Sequence, residues 1–341
     1  MVTDGQAQAL LREPPDLAVH VVRTAHWLAS GTPQVQHALW TLGDSHYPQA
    51  LLQLADPPLM LFAQGQVEGQ LGHAVAVVGS RNPTPQGAQT AEQFGQALQS
   101  VGLCVVSGLA LGVDGAAHRG ALAGVDPTAH SPEAQRAPWR TVAVVGTGLD
   151  RAYPRQHHAL AQAIALHGLL LSEYPLGTPP LAANFPKRNR IIAALGLGTL
   201  VVEAALKSGS LITARMALDL GREVLAVPGS IHSPQSHGCH ALIRQGAKLV
   251  ETVQDVVDEL QLTPQHTPDW LDSSAASSVG SPPADGPEAT LLTHLGYTAV
   301  SLDALIARSG LDAASLQAQL LSLELEGRLA RLPGGLFQRL A

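Results

Sequence analysis

The chain opens with two runs that alternate apolar and polar positions, 17–29 and 35–42. They predict helices of a small N-terminal helical region spanning residues 1–70. A segment containing Tyr47-Pro48, Leu51-Leu52 and Pro57-Pro58-Leu59 then reads as a collar. From His73 the pattern changes. Short, wholly apolar runs at 74–78, 103–106, 142–145, 169–171, 200–202 and 224–227 predict strands, and the segments 86–99, 114–123, 155–167 and 211–220 predict helices between them. Strands without a polar face, alternating with helices, specify a parallel sheet covered on both sides. This is an α/β fold over residues 71–262. The polar, Pro-containing stretch 126–139 predicts a surface loop insertion.

Residues 263–287 are dominated by Ser, Ala, Pro and Gly and predict a flexible linker. The tail, 288–341, predicts three helices (289–295, 301–309 and 313–326) and a hairpin over 329–339 turning at Pro333-Gly334-Gly335, together a winged-helix domain. Its third helix carries Glu324 and Glu326 and no Lys or Arg, and the tail holds four Arg against five acids. A helix that reads a duplex needs phosphate partners, so a protein-contact or packing role is expected here.

At 341 residues and 45% hydrophobic content the chain can fill a substantial core in two or three domains. With only 4% aromatics that core is aliphatic. Cys104 lies inside a predicted strand and Cys239 is the only other cysteine, which leaves no disulfide framework. No signal pattern and no apolar run of membrane-spanning length is present, so a soluble cytoplasmic protein is expected. The net charge of −7 argues against a protein coated in basic charge, but the charge is unevenly spread. Between residues 181 and 250 eight Lys and Arg face three Asp and Glu, a local +5 that leaves −12 for the rest. An anionic ligand is therefore expected in this stretch.

Within it, Lys187, Arg188, Asn189 and Arg190 open a short predicted helix over 191–195. A strand over 199–203 follows, and Lys207-Ser208-Gly209-Ser210 turns into the next helix. Helix N-termini carry free N–H groups and partial positive charge, which suits phosphate, and α/β ligand sites lie at the carboxyl ends of strands. The alternative is a solvated basic helix start. Gly79-Ser80-Arg81 ends the first predicted strand. It offers close backbone approach, a hydroxyl and a forked cation, or only a turn with one exposed Arg. In Ser107-Gly108 and the turn that follows, Asp114 either caps a helix or pairs with His118 for catalysis. Gly146-Thr147-Gly148 leads to Arg151 where a dinucleotide fingerprint needs Gly or Ala, and no Gly-x-x-x-x-Gly-Lys-Ser/Thr loop exists. His232, His237, Cys239 and His240 suggest a metal site or chance clustering among fifteen His. No metal and no cofactor is expected.

Taken in order, several segments closely resemble the DNA-processing protein A (DprA, also called Smf) family. They are Gly79-Ser80-Arg81, the turn from Ser107 to His118, Gly146 to Pro154, Phe185 to Arg190, Lys207 to Thr213 and Pro228 to Cys239. The resemblance implies an extended Rossmann fold whose pocket binds single-stranded DNA; double-stranded DNA, held more weakly, is a further candidate partner. It also implies protection of incoming DNA in natural transformation and loading of the RecA recombinase. Arg81 and Lys187 would be the principal phosphate contacts. Asn189, Arg190, Lys207 and Ser208 would line the same pocket, and Phe185 would offer a stacking surface. A homodimer would form through 240–247, with Leu242 and Ile243 as exposed apolar anchors. On this resemblance the protein is not an enzyme. The alternative is a nucleoside monophosphate hydrolase of the lysine-decarboxylase-like kind, suggested by Gly196 to Glu203, with Glu203 as the acid or base unless it simply pairs with Lys207. A third possibility is a pure adaptor using the winged helix.

Overall fold

The computed structural model describes residues 14–125, 138–262, 291–292, 294–296, 299–332 and 334–340. The expected linker, most of the expected insertion and part of the first expected tail helix lie outside the described residues.

The core of the fold is a sheet whose described strands run in the order β1-β2-β6-β5-β4-β3-β7-β8-β9. They are β1 (Gln36–Thr41), β2 (Met60–Gly65), β3 (Ala74–Gly79), β4 (Cys104–Ser107), β5 (Thr141–Val144), β6 (Leu169–Ser172), β7 (Gly198–Val202), β8 (Glu223–Ala226) and β9 (Lys248–Leu249). The seven from β6 to β9 are parallel. Their side chains show why wholly apolar runs were needed. Along β3, Ala74, Ala76 and Val78 enter one core, while Val75 and Val77 enter the other. Strands buried on both faces have no polar side to alternate.

The helices are α1 (Leu17–Ala29), α2 (Pro85–Ser100), α3 (Val113–Ala121), α4 (His158–His167), α5 (Asn184–Leu195), α6 (Ser210–Asp219), α7 (His237–Arg244) and α8 (Val253–Glu259). On one face α5 and α6 contribute Ile191, Ile192, Leu195, Ala214 and Ala217. On the other, α2 and α3 contribute Ala91, Phe94, Leu98, Val113, Ala116 and Ala117. Truncating a fully buried Leu such as Leu98 costs about 2–5 kcal/mol in a core of this kind.

Three expectations need correction. The N-terminal region is not wholly helical: 17–29 is α1, but 35–42 contains β1. Strands β1 and β2 pair antiparallel with each other, and β2 pairs antiparallel with β6. They extend the sheet at one edge, which is therefore mixed. Helix α1 lies on this extension, with Trp27 stacked on His37 at 4.2 Å and Arg23 Nη1 donating to the Leu176 carbonyl. The expected insertion is not surface throughout, since Trp139 is buried, stacks on Trp40 and donates its Nε1 hydrogen to the Gln66 carbonyl. Finally, α5 begins at Asn184, seven residues before the expected start.

In the tail, β10 (Val300–Ser301), β12 (Leu336–Arg339) and β11 (Leu329–Leu332) form a small antiparallel sheet beside α9 (Leu302–Ser309) and α10 (Ala313–Leu325). Leu305, Leu316, Leu320, Leu323 and Phe337 build its separate core. Among the described residues, no helix is long and apolar enough to cross a membrane.

Candidate nucleic-acid interface

The chain leaves β3 toward β4, β5 and β6 on one side, and resumes at β7, β8 and β9 on the other. The order thus reverses between β3 and β7. In open α/β sheets a crevice forms outside the carboxyl ends of the strands at such a reversal. A cleft of 690 Å³ opens there. Its walls come from the ends of β3 and β7 and from the first turns of α5 and α6.

From β3 come Gly79, Ser80 and Arg81. Gly79 is required because a Cβ there would overlap the Val202 carbonyl oxygen on β7. Ser80 is buried and its Oγ accepts from the Asn82 N–H, which fixes the turn. Arg81 is exposed, with its guanidinium 5.6 Å from the centre of the Phe185 ring. Tyr153 approaches the same ring at 5.5 Å between centres. Phe185 also lies against Gly146, where an added Cβ would crowd its edge. One cation and two aromatic rings therefore form a continuous wall.

Helix α5 supplies Phe185, Arg188, Asn189 and Ile192, a face repeating at helical spacing. Arg188 is only 3% exposed. Its Nη1 donates to the Val144 carbonyl. Burial pulls its guanidinium down to about 10, against the opposing pull of Asp114. Asp114 is also buried, and burial raises its carboxyl above the ordinary range, against Arg188 and the N–H groups of Gly108 and Ala110 that it accepts. This pair forms part of the cleft lining. From the β7 side come Lys207, which is exposed, and Ser208, Gly209 and Ser210 at the start of α6, where the Ser208 and Ser210 hydroxyls bond at 2.7 Å. The lining holds three cations and one carboxylate.

Several expected site residues are placed elsewhere. Lys187 is exposed but does not line the cleft. Arg190 turns to the other side of α5, where it pairs with Glu173 at 2.6 Å and lies 3.8 Å from Asp56. Ser107 is fully buried and donates its hydroxyl to the Val77 carbonyl, and Gly108 supports Asp114 from below. Asp114 does not cap α3, whose N-cap is Gly112. His118 is fully buried against Thr141 Oγ1 at 2.7 Å, and burial lowers it to about 3. Glu203 does not pair with Lys207, because its carboxylate accepts the N–H and hydroxyl of Thr84 at 2.8 and 2.6 Å. Leu242 is buried in the protein's own core, so it is not the exposed anchor expected, and Ile243 is half-buried. The exposed apolar residues near α7 are instead Leu206 and Ile231, at 60% and 73%. Cys239 is buried with its thiol toward the Val201 carbonyl, while His237 and His240 bond backbone carbonyls. Among the described residues, no three His, Cys, Asp or Glu are placed to share a metal ion.

Tyr153, Asn82 and Gln235 also line the cleft and were not singled out by sequence. The stacking partner Tyr153 had a signal, its place in the recognisable segment from Gly146 to Pro154.

The sheet and its cleft define a Rossmann-like α/β protein with a cationic crevice at the strand reversal. The chain belongs to the DNA recombination-mediator protein A family, whose model matches residues 38–261, and the DprA winged helix domain matches 275–335. Protein Smf of Escherichia coli is 41% identical over 308 residues, covering 89% of this chain and 77% of that protein. DNA processing protein DprA of Streptococcus pneumoniae is 45% identical over 218 residues, 64% of this chain and 72% of that protein. The X-ray structure of DprA from Streptococcus pneumoniae superposes with a TM-score of 0.58 at 42% identity, covering 69% of this chain and 77% of its own. A structure of DprA from Helicobacter pylori, described for its single-stranded DNA binding mode, has a TM-score of 0.55 at 31% identity. It covers 65% of this chain and 95% of its own.

Proposed function

We propose that this chain binds single-stranded DNA in the cleft between β3 and β7, protects it, and hands it to the RecA recombinase during natural transformation and recombination. The observation that carries this reading is the wall formed by Arg81, Phe185 and Tyr153, faced by Lys207 and the start of α6. Stacking platforms beside backbone-tracking cations are how proteins hold single strands without reading sequence. The Helicobacter pylori relative, described for its single-stranded DNA binding mode, supports the same ligand. Double-stranded DNA binds more weakly in this proposal, because paired bases cannot reach the rings.

The protein acts as a homodimer in this proposal, with Leu206 and Ile231 on the contact face. Exposed Leu321 and Leu325 on α10, at 52% and 81%, favour a protein-contact role for the winged helix. No reaction is catalysed in this proposal. Its support is that Glu203, the carboxylate a nucleotide hydrolase would use, is committed to Thr84 and lies outside the cleft lining. The test is a titration of labelled single- and double-stranded oligonucleotides at two salt concentrations, alongside chromatography of nucleoside monophosphates incubated with the protein. Equal affinity for both DNA forms would refute the ligand. Release of free base, abolished by Glu203→Gln, would refute the non-enzymatic role.

A further inference from the structure

A second cavity, of 510 Å³, adjoins the cleft, and Tyr153 lines both. Its wall is the loop after β5, which the surrounding backbone holds in place. Ser172 Oγ donates to the Thr147 carbonyl, Gly148 N–H donates to the Thr178 carbonyl, and Gly177 N–H donates to Asp150 Oδ1. Its floor is apolar, with Leu109, Val145, Ala165 and Leu170 all buried. Its rim is polar, with Gln64, Arg151, His157, His158 and Gln162. The one carboxylate in the lining is Asp150, which already accepts the Gly177 N–H.

An apolar floor beneath hydrogen-bonding groups, with a cation at the mouth, matches the chemistry of a nucleobase attached to a phosphate. Tyr153, which lines both cavities, would lead a base from one to the other. A strand stacked on Phe185 passes over the Tyr153 ring and arrives at the second opening. We infer that this cavity is a second subsite that receives an unpaired base of the strand held in the main cleft. The inference rests on the single-strand reading of that cleft. It adds a source of strand discrimination, because a base enters the cavity only after leaving its pair and its stack.

The test measures affinity for oligothymidines lengthened through about 4 to 16 nucleotides, the range of site sizes known for single-strand-binding OB folds. The wild type is expected to gain about fivefold or more in affinity at the length that first reaches the second cavity. Ala161→Phe, which fills the cavity from α4, abolishes that step and leaves the shortest strands bound as before. If Ala161→Phe fails to melt like the wild type, Arg151→Glu at the exposed rim is measured instead and must also lose the step. A step that persists in a folded variant, or a wild type without one, overturns the inference. Arg81→Ala separates the two claims, since it weakens strands of every length if the main cleft is the site. Unchanged binding by Arg81→Ala would sink the cleft and the subsite with it, whereas weakened binding by Arg81→Ala together with a wild type that shows no step would sink the subsite alone.

Discussion

Replacing Lys207 by Ala gives a sharp test of how the cleft holds phosphate. Two exposed cations face the cleft, Arg81 and Lys207. Arg188 lies deeper, committed to the Val144 carbonyl and opposed by Asp114, so it adds little net charge for a ligand. Each phosphate neutralised on a single strand adds about −0.7 to the slope of log affinity against log salt. Two cations therefore give about −1.4, and Lys207→Ala leaves about −0.7. Between about 50 and 200 mM salt the wild type should lose about sevenfold in affinity and the variant about 2.6-fold. Fluorescence anisotropy of a labelled oligothymidine, titrated at several salt concentrations, measures both slopes. Lys187→Ala is the control, because Lys187 is equally exposed but lies outside the cleft lining. It should keep the wild-type slope. The reasoning fails if Lys187→Ala flattens the slope while Lys207→Ala does not, for then the strand runs along the outer face of α5.

The remaining predictions concern the wall, the buried charges and assembly. Phe185→Ala removes the central ring, and loss of one base stack at about 1–3 kcal/mol should weaken binding about 5- to 150-fold with little change in salt slope, read by the same anisotropy assay. Arg188→Met leaves Asp114 without its counter-charge and the Val144 carbonyl without its donor, so urea unfolding should show a loss of about 3–5 kcal/mol. Burial raises the Glu203 carboxyl above its ordinary 4.5, with the Thr84 bonds opposing. The folded state then holds that proton more tightly than the unfolded chain, and this contribution is lost as pH rises through the folded value. The stability gap between wild type and Glu203→Gln should therefore shift against the wild type as pH climbs from about 4 through the carboxylate range, while single-strand binding by the variant stays intact. Ile231→Asp should convert a dimer to monomers in sedimentation, and an unchanged sedimentation coefficient would remove that face from the interface.

The parallel core was legible because its strands carry wholly apolar runs of three to five residues, a pattern suited to a sheet covered on both faces. The site was legible in outline because Gly79-Ser80-Arg81 and Lys207 to Ser210 follow strands that the topology brings side by side. Strand β1 was not. Its half-buried pattern over Gln36–Thr41 is too short for a period of two to stand out from 3.6, and its pairing with β2 is set by tertiary contact. The start of α5 was misplaced because the apolar run that marks the helix begins only at Ile191, after the polar and basic stretch 187–190. Pro186 sits in the first turn, where its missing N–H has no intrahelical partner to lose. Beginning the helix at Asn184 fixes the faces. Phe185, Asn189 and Ile192 turn to the cleft, Arg190 turns to Glu173, and Lys187 stays on the outside. A basic run was visible in the sequence, but which of its members share a face depends on where the helix begins.

The division of labour among the charged groups bears on holding against converting. Asp114, Arg188 and His118 are buried and Glu203 is half-buried, and each bonds a neighbouring backbone or side-chain group. A group that shuttles protons needs a free lone pair within reach of the reacting atom and a pKa near the working pH. His118, lowered to about 3, stays neutral at physiological pH and sits on the buried face of α3 against Thr141. The Glu203 oxygens are turned to Thr84. At the cleft mouth are Arg81, Lys207 and the rings of Phe185 and Tyr153, groups that attract phosphates and stack bases. On the proposed reading, the buried ionisable groups fix the cleft's shape, and the groups at its mouth are those suited to holding a strand.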